Sequence, residues 1–180
     1  MTDLIIQGIG ILGMACFIVS YQIKSNKALY WIQTAGTGLF CIQFMLLGAW
    51  SGLFNLIMII IRNIMITKSS KYEWLKWKGW VVVICAICTV ILVFTWSGPL
   101  SLLPFVALVG STIGYWTNNA QKIRLSNLVC ASPAWVIYDI FVGSIGGALS
   151  ESITIISILV SVYRYGWKAM GDPEFGNKEK

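Results

Sequence analysis

Long apolar stretches alternate with short polar joins along this 180-residue chain. A membrane-spanning helix needs about 20 mostly apolar residues. By that measure the pattern predicts seven transmembrane helices, at residues 4–22, 28–47, 51–67, 79–96, 100–117, 127–143 and 147–166. The second stretch is the most polar, because Gln33, Thr37 and Gln43 lie among its glycines. Such a helix is expected to face other helices rather than lipid.

Among the joins, only alternate ones carry basic residues. Of the thirteen Lys and Arg residues, Arg62 lies within the third stretch, towards the join that follows it, and the other twelve lie at the joins after the first, third and fifth stretches or at the C-terminal end. Cytoplasmic loops carry the excess of Lys and Arg, so the alternation predicts an external N-terminus and a cytoplasmic C-terminus. A six-span chain would put Lys122 and Arg124 on the opposite side from Lys24 and Lys27, and the pattern would be lost.

Two similar joins suggest an internal repeat. Residues 48–52 and 143–147 both fit G-x-x-x-G, and each joins the second helix of a triplet to its third. Four spans separate the equivalent positions, so the two halves should point the same way, as in a parallel repeat. The predicted fold is all-α, with seven transmembrane helices arranged 3+1+3 as two parallel triple-helix bundles and a linker helix. The glycines of these joins are expected to let helices pack closely: Gly48, Gly52, Gly143 and Gly147.

This organisation divides the chain into four parts. Residues 1–67 form the first triple-helix bundle, 68–99 a cytoplasmic interfacial loop plus the linker helix, 100–168 the second bundle, and 169–180 a disordered cytoplasmic tail. The interfacial loop mixes Trp with Lys, a combination typical of the boundary between lipid and water. Pro104 and Pro133 lie inside predicted spans and are expected to kink them, since proline removes a helix hydrogen bond.

Composition narrows the function classes. The chain is 57% hydrophobic and 11% charged, whereas soluble domains carry about 25% charged residues. We attribute the net charge of +6 to membrane orientation rather than to nucleic-acid binding, and we expect the first span to be retained rather than cleaved. The five cysteines all lie in apolar segments, where cysteine behaves as a small hydrophobe. The chain has no histidine, and we expect no catalytic site, metal or cofactor.

Arg62 is the first candidate for a functional residue. It lies about ten residues, or roughly 15 Å, into the third span. Its side chain can extend to the cytoplasmic face or form a structural pair. Alternatively, it presents a cation to a central cavity and contacts an anionic or hydroxylated solute. Asn63, the next residue, is expected to face a different direction.

The second candidates are the carboxylates around the outer join of the second half. Asp139 precedes this join and Glu151 follows it, with Asn55 at nearly the same depth in the third span. Ionisable residues inside spans are costly and often functional. These carboxylates are either interfacial or helix-terminus groups, or they line a solute pathway. Asn118 and Trp135 add an amide and an aromatic ring that suit a polar solute, although Trp135 also fits an interfacial aromatic belt.

Several of these features together resemble the YgjV-type bacterial inner membrane proteins. They are Leu46-Leu47-Gly48, Trp135-Val136-Ile137-Tyr138, the join at 143–147, Glu151 and Tyr163-Arg164-Tyr165. The resemblance covers the chain to about residue 168 and implies a multi-pass protein of the bacterial inner membrane. More distantly, the 3+1+3 plan is similar to the SWEET and PQ-loop transporters. Their Pro-Gln pair is represented here by Tyr21-Gln22 and Ala120-Gln121, which keep the glutamine and lack the proline.

We therefore expect a facilitator or transporter that moves a small polar solute through a cavity between the two bundles. The residues expected to line that cavity are Asn55, Arg62, Asn118, Trp135, Asp139 and Glu151. The expected partners are the lipid bilayer, the solute and a second copy in a homo-oligomer, with no nucleic acid. The alternative is a non-transporting partner subunit, sensor or assembly factor on the same scaffold.

Overall fold

The computed structural model describes residues 2–22, 26–69, 71–117 and 120–166, and these are helical without any β-strand. The helices are α1 (Thr2–Gln22), α2 (Asn26–Leu46), α3 (Trp50–Lys68), α4 (Gly79–Phe94), α5 (Leu102–Trp116), α6 (Ala120–Ser126), α7 (Ser132–Val142) and α8 (Ile145–Tyr165). A π-helical turn, Asn127–Ala131, joins α6 to α7 in one continuous rod. The prediction of an all-helical chain with seven helical rods is confirmed for the described residues.

The sixth rod begins earlier than the sequence predicted. Its helix starts at Ala120, so Lys122 and Arg124 lie on its first turns and not in a loop before residue 127. The apolar pattern predicted the start of this rod at residue 127, which is too late, because charged residues interrupt the pattern before that position. Gln, Lys, Arg and Leu are nevertheless good helix formers, and the segment contains no Gly or Pro. The predicted tail at 169–180 lies outside the described residues.

The two prolines have different effects. Pro104 lies in the first turn of α5, where its missing N–H had no helical partner, so the expected kink there is wrong. Pro133 follows the π-turn. Inside a regular helix its ring would clash with the carbonyl of Val129, four residues earlier. The wider π-turn at this position absorbs that clash, and such turns frequently occur at functional sites.

Six of the rods form a ring. Following the contacts around it, α1 packs on α2, α2 on α3, α3 on α5, α5 on the α6–α7 rod, α7 on α8, and α8 back on α1. The fourth helix packs on the outside of this ring, against α3 and α5. Its Val82 is 70% exposed and its Phe94 85% exposed, as expected for an apolar helix bordered by lipid.

Length and composition identify which helices could cross a membrane on their own. Within the part of the chain that the structure describes, three are long and apolar enough: Trp50–Lys68, Pro99–Trp116 and Gln121–Val142. Three further apolar stretches lie within α1 at Asp3–Val19, in α4 at Gly79–Phe94 and within α8 at Ile145–Val160.

The joins between α2 and α3 and between α7 and α8 lie at the same end of the ring, which we call the latch end. Gly48 and Gly143 occupy these joins with φ of +69° and +82°, a left-handed backbone that glycine adopts readily. A Cβ at either would meet nothing within 4 Å. Turn geometry, rather than the expected helix packing, therefore explains these two glycines.

The other two glycines of the joins do lie against neighbouring side chains. A Cβ at Gly52 would come within 2.6 Å of the Tyr138 ring, and one at Gly147 within 2.6 Å of the Asp139 carboxylate. Both positions lie against α7, one from α3 and one from α8. They set how closely these helices approach each other.

Candidate functional site

The ring encloses a cavity of about 130 Å³. All six rods of the ring contribute lining residues, and the described residues of α4 contribute none. The polar lining consists of Gln33, Thr37, Arg62, Asn63, Ser111, Asn127, Ser132, Asp139, Ser150, Glu151 and Thr154. Aromatic rings supply much of the rest: Phe17, Phe40, Phe44, Tyr115 and Trp135. A concave site with several convergent polar groups is typical of small-molecule binding.

Arg62 lies in this cavity and is buried, with 3% of its surface exposed. Its Nη1 donates a hydrogen bond of 2.7 Å to the Ser111 hydroxyl on α5. The centre of the guanidinium lies 4.4 Å from the centroid of the Tyr115 ring, within the range of a cation–π interaction. These contacts orient the guanidinium across the cavity.

Asn63 also lines the cavity, so the expectation that it faces elsewhere is wrong. Its Oδ1 accepts hydrogen bonds from Arg62 Nε at 3.4 Å and from Arg62 Nη2 at 3.2 Å. The long, flexible arginine side chain reaches back to its neighbour, which spacing along the helix alone could not reveal. The Asn63 amide oxygen therefore lies beside the edge of the guanidinium formed by Nε and Nη2.

Asp139 lies near the end of α7 and is 2% exposed. Its carboxylate interacts with the Ser144 side chain, while its Oδ1 is buried without a hydrogen-bond partner. The backbone of Gly147 on α8 leaves the space that this carboxylate fills. A buried acceptor without a partner costs about 1–3 kcal/mol, and more when it is charged.

Glu151 approaches the same part of the cavity from α8. Its carboxylate is hydrogen-bonded to the Ser132 side chain of α7, and Ser150 beside it also lines the cavity. Two carboxylates from adjacent helices therefore border one region, and Arg62 enters the cavity from α3. The cavity therefore contains two carboxyl groups and one guanidinium group.

Three aromatic side chains pack together beside the carboxylates. Phe44 lies 6.0 Å from Trp135 and 5.9 Å from Tyr138, measured between ring centroids, and Trp135 and Tyr138 are 5.8 Å apart. The Tyr138 hydroxyl contacts the Ser51 hydroxyl at 3.0 Å and accepts from the Gly52 N–H at 3.0 Å. This cluster ties α2, α3 and α7 together between the cavity and the latch end.

A hydrogen-bonded network, the latch, joins α1, α2 and the α7–α8 turn. It consists of Gln7, Gln43 and Ser144. Gln7 Nε2 donates to the Gly143 carbonyl at 2.6 Å, and its Oε1 accepts from the Ile145 N–H at 3.1 Å. Gln43, which is 0% exposed, donates to Gln7 Oε1 at 3.4 Å and accepts from the Ser144 hydroxyl at 3.0 Å.

Close backbone packing supports the latch. A Cβ at Gly146 of α8 would collide with the backbone of Gly10 on α1, and one at Gly10 would collide with the Gln43 side chain. Glycine at both positions therefore lets three helices meet. The first helix contains the sequence Gly8-Ile9-Gly10-Ile11-Leu12-Gly13, and the backbone of Gly10 and Ile11 lies against α8.

Of the six predicted cavity residues, four line the cavity: Arg62, Trp135, Asp139 and Glu151. Asn55 is 0% exposed and donates to the Ser51 carbonyl at 2.7 Å; it is not among the lining residues. Asn118 lies outside the described residues. Sequence reasoning missed eight polar lining residues: Gln33, Thr37, Asn63, Ser111, Asn127, Ser132, Ser150 and Thr154. In the sequence, each of these residues appears only as a polar residue within an apolar stretch. Many residues that serve the fold alone have the same appearance, so this feature does not identify a lining residue.

A family model described as "Imp-YgjV: Bacterial inner membrane protein" matches residues 4–169. The chain belongs to the Imp-YgjV family of bacterial inner membrane proteins. A search of curated proteins and a search of solved structures each found no match. The match to the family model confirms the resemblance inferred from the sequence and the bacterial inner membrane as the location.

Proposed function

We propose that this Imp-YgjV protein is a facilitator of a small polar solute, which crosses the membrane through the ring cavity. The observation that carries the proposal is the cavity itself: six rods converge on a polar space that contains Arg62, Asp139 and Glu151. Ionisable groups are rare inside membrane-spanning helices and commonly mark solute or ion pathways. Structural pairing alone does not explain the Asp139 oxygen that lacks a partner.

The predicted 3+1+3 organisation belongs to the same proposal. Rods α1–α3 would form one parallel bundle, α5–α8 the second, and α4 the linker that lies outside the ring. With the N-terminus external, as the basic residues predict, the latch end faces away from the cytoplasm. The state described here is then closed on the external side by Gln7, Gln43 and Ser144.

Passage requires the latch to open. Its hydrogen bonds are few, and water can replace them, so exposure of the latch costs only about 0.5–1.5 kcal/mol for each bond. Movement of α1 away from α8 would separate Gly10 from Gly146 and break the bonds from Gln7. The solute would then move between the external side and the cavity while the other end stays closed, as in alternating access.

Flux into proteoliposomes tests the proposal. Purified protein is reconstituted and offered a panel of small sugars, polyols, amines, carboxylates and amino acids. We expect protein-dependent uptake of at least one solute, which falls at least about tenfold in Asp139→Asn when a charge-assisted contact is lost. Asp3→Asn, an exposed carboxylate on α1, is the matched control. Absence of flux for the whole panel, with folding intact, contradicts transport.

The proposed orientation has its own test. A single cysteine placed at Ile145 in an otherwise cysteine-free chain should react with a membrane-impermeant thiol reagent in whole cells with a permeable outer membrane. Cysteine at Lys71 should react only after the inner membrane is opened. The reverse result would invert the proposed topology.

One surface favours the second candidate function, a non-transporting partner subunit. The segment at residues 71–80 exposes Trp74 (60%) and Trp77 (63%) beside exposed lysines. A partner protein could dock there, although headgroup contact explains the same composition. Stoichiometric co-purification of one protein, lost in Trp74→Ala with Trp77→Ala, would support this candidate. Self-association into a homo-oligomer is a further proposal that the mass of the detergent-purified protein would test.

A further inference from the structure

We infer that Asp139 carries a proton while the latch is closed, and that release of this proton opens the latch by drawing the Ser144 hydroxyl hydrogen away from Gln43. The inference rests on the proposed function and names what controls access to the ring cavity at its latch end. It follows from the directions of the latch hydrogen bonds, which the backbone fixes, and from the single hydrogen that a serine hydroxyl can donate.

The backbone determines which atom donates each latch hydrogen bond. The Ile145 N–H can only donate and the Gly143 carbonyl can only accept. Gln7 must therefore turn Oε1 to the first, at 3.1 Å, and Nε2 to the second, at 2.6 Å. Since Gln7 Oε1 only accepts, Gln43 Nε2 donates the bond of 3.4 Å between the two glutamines. Gln43 then presents its acceptor, Oε1, to the Ser144 hydroxyl at 3.0 Å, and Ser144 must donate.

The Ser144 hydroxyl is also in reach of Asp139. A serine hydroxyl has one hydrogen and two lone pairs. The hydrogen is used on Gln43, and one lone pair accepts from the Gly147 N–H at 3.3 Å. The Asp139 carboxyl group interacts with the Ser144 side chain, and a Cβ at Gly147 would lie within 2.7 Å of both its oxygens. A lone pair is what Ser144 has left for Asp139, so the carboxyl group has to donate, which requires a proton.

An ionised Asp139 competes with the latch for the same hydrogen. A carboxylate can only accept, so the Ser144 hydroxyl has to turn from Gln43 to Asp139. Hydrogen bonds to a charged group are stronger than bonds between neutral groups, so the carboxylate prevails. Gln43, which is 0% exposed, then has a buried Oε1 without a donor. Opening of the latch lets water supply that donor and accept the released proton.

The burial of Asp139 agrees with a neutral carboxyl group in the closed state. The residue is 2% exposed, and its Oδ1 has no hydrogen-bond partner. An ionised carboxylate in such surroundings is costly, whereas a protonated one leaves just a carbonyl oxygen unpaired, available to a solute. Opening hydrates the carboxyl group and favours its charged form. Binding of the proton and closure of the latch therefore stabilise each other, since such coupling is reciprocal.

Other ionisable groups surround Asp139, and the test has to separate them from it. Glu151 approaches from α8, and its carboxyl group is hydrogen-bonded to Ser132, which lies outside the latch. The helices α1 and α2 present the uncharged latch glutamines. Among the described residues, further ionisable groups near Asp139 or across the cavity are Tyr138 of α7, Arg62 of α3 and Tyr115 of α5. Asp139 differs from Glu151 in its contact with Ser144.

The distance between α1 and α8, measured as a function of pH, tests the inference. Spin labels are attached to cysteines at Leu4 and Leu149, two exposed positions on these helices, in the otherwise cysteine-free full chain in nanodiscs. The pH is varied from about 5 to about 9, a range that covers carboxyl groups in water and in buried sites. We expect the ratio of widely separated to closely spaced labels to rise at least about tenfold with pH.

Variants assign this response to Asp139 and Ser144. Asp139→Asn presents an amide N–H to Ser144 at every pH, as the protonated acid does, so the labels should stay closely spaced. Ser144→Ala removes the shared hydroxyl, and the spacing should no longer follow pH. Glu151→Gln should keep a pH response. Glu73→Gln, at an exposed carboxylate paired with Lys76 at 3.6 Å, should behave as the unmodified protein does.

The outcomes separate the inference from the function on which it rests. An unchanged pH response in Asp139→Asn or in Ser144→Ala overturns the inference, and the second variant decides if the first fails to fold. Loss of the response in Glu151→Gln alone overturns it too. Flux of a solute through a protein whose label spacing ignores pH leaves transport standing without the proton. The expected spacing changes without flux of any solute support the inference and overturn transport. Absence of both overturns both.

Discussion

The latch and the cavity are both built from polar side chains inside a membrane protein, yet they differ in how completely those side chains are paired. At the latch, Gln7, Gln43 and Ser144 each donate and accept hydrogen bonds. In the cavity, Asp139 keeps an oxygen without a partner. Paired polar groups hold helices together, whereas an unpaired group in an open space suggests that a ligand supplies what is missing.

The difference shows that polarity within a span does not by itself mark function. Gln33 and Gln43 lie on the same helix and are the same residue type, but only Gln43 belongs to the latch. Gln33 lines the cavity. The number of partners and the space around each side chain separate the two roles, and variants can test that separation.

The largest effect is expected where the latch helices touch. Gly146→Ala places a methyl group against the backbone of Gly10, and backbone cannot move aside as a side chain can. We expect the protein to lose about 3 kcal/mol of stability or more, the upper end of overpacking costs. Thermal unfolding in nanodiscs measures this.

Gly8→Ala on α1 is the matched control for that substitution. Its added methyl group would meet nothing within 4 Å, and alanine favours a helix over glycine by about 1 kcal/mol. Its unfolding temperature should stay the same or rise. If both alanine variants behave alike, the close α1–α8 contact is not what stabilises the latch end.

The next effect compares the two glutamines of α2. Gln43→Leu leaves Gln7 and Ser144 each short of a partner, so we expect a loss of about 1–2 kcal/mol. Gln33→Leu, in the cavity, should change stability by less than about 0.5 kcal/mol. The same unfolding assay decides. Equal losses would mean that the latch and cavity do not differ in the way described.

The smallest effect has the opposite sign. Asp139→Asn replaces a buried carboxyl group whose Oδ1 has no partner, so stability should rise by about 1 kcal/mol while solute binding falls. Asp3→Asn, on an exposed residue, should alter neither. A clear loss of stability in Asp139→Asn would show that the carboxylate serves the fold and would weaken its assignment to the solute.

Much of the fold was predictable because it follows from one-dimensional patterns. Apolar stretches of helical length predict the seven rods, and the gap between two such stretches predicts the join at 143–147. The start of α6 was not predictable from apolarity, since Gln121, Lys122 and Arg124 interrupt it while favouring a helix. The π-turn before Pro133 relieves the clash between the proline ring and the Val129 carbonyl. The sequence does not specify that the rod relieves this clash with a π-turn.

The candidate site was predictable only in part. Arg62, Asp139 and Glu151 are conspicuous because charges are expensive in a span. The direction of Asn63 was predicted wrongly. The helical repeat predicts where each Cβ points, but it does not predict that the long Arg62 side chain bends back to contact its neighbour. Ser111 and Ser132 carry no such signal, since serine is common in helix contacts within membranes. The closed ring itself depends on contacts between distant residues that no local pattern contains.

The π-turn at Asn127–Ala131 also sets the rotational phase of its rod. It acts as one extra residue in an α-helix, and one residue corresponds to about 100° of rotation. Shortening the turn by one residue would therefore swing Trp135 and Asp139 about a quarter-turn relative to Lys122 and Arg124. The aromatic ring and the carboxylate would then point at a neighbouring helix or at lipid. The extra residue lets one rod present basic groups at its first turns and a carboxylate to the ring interior.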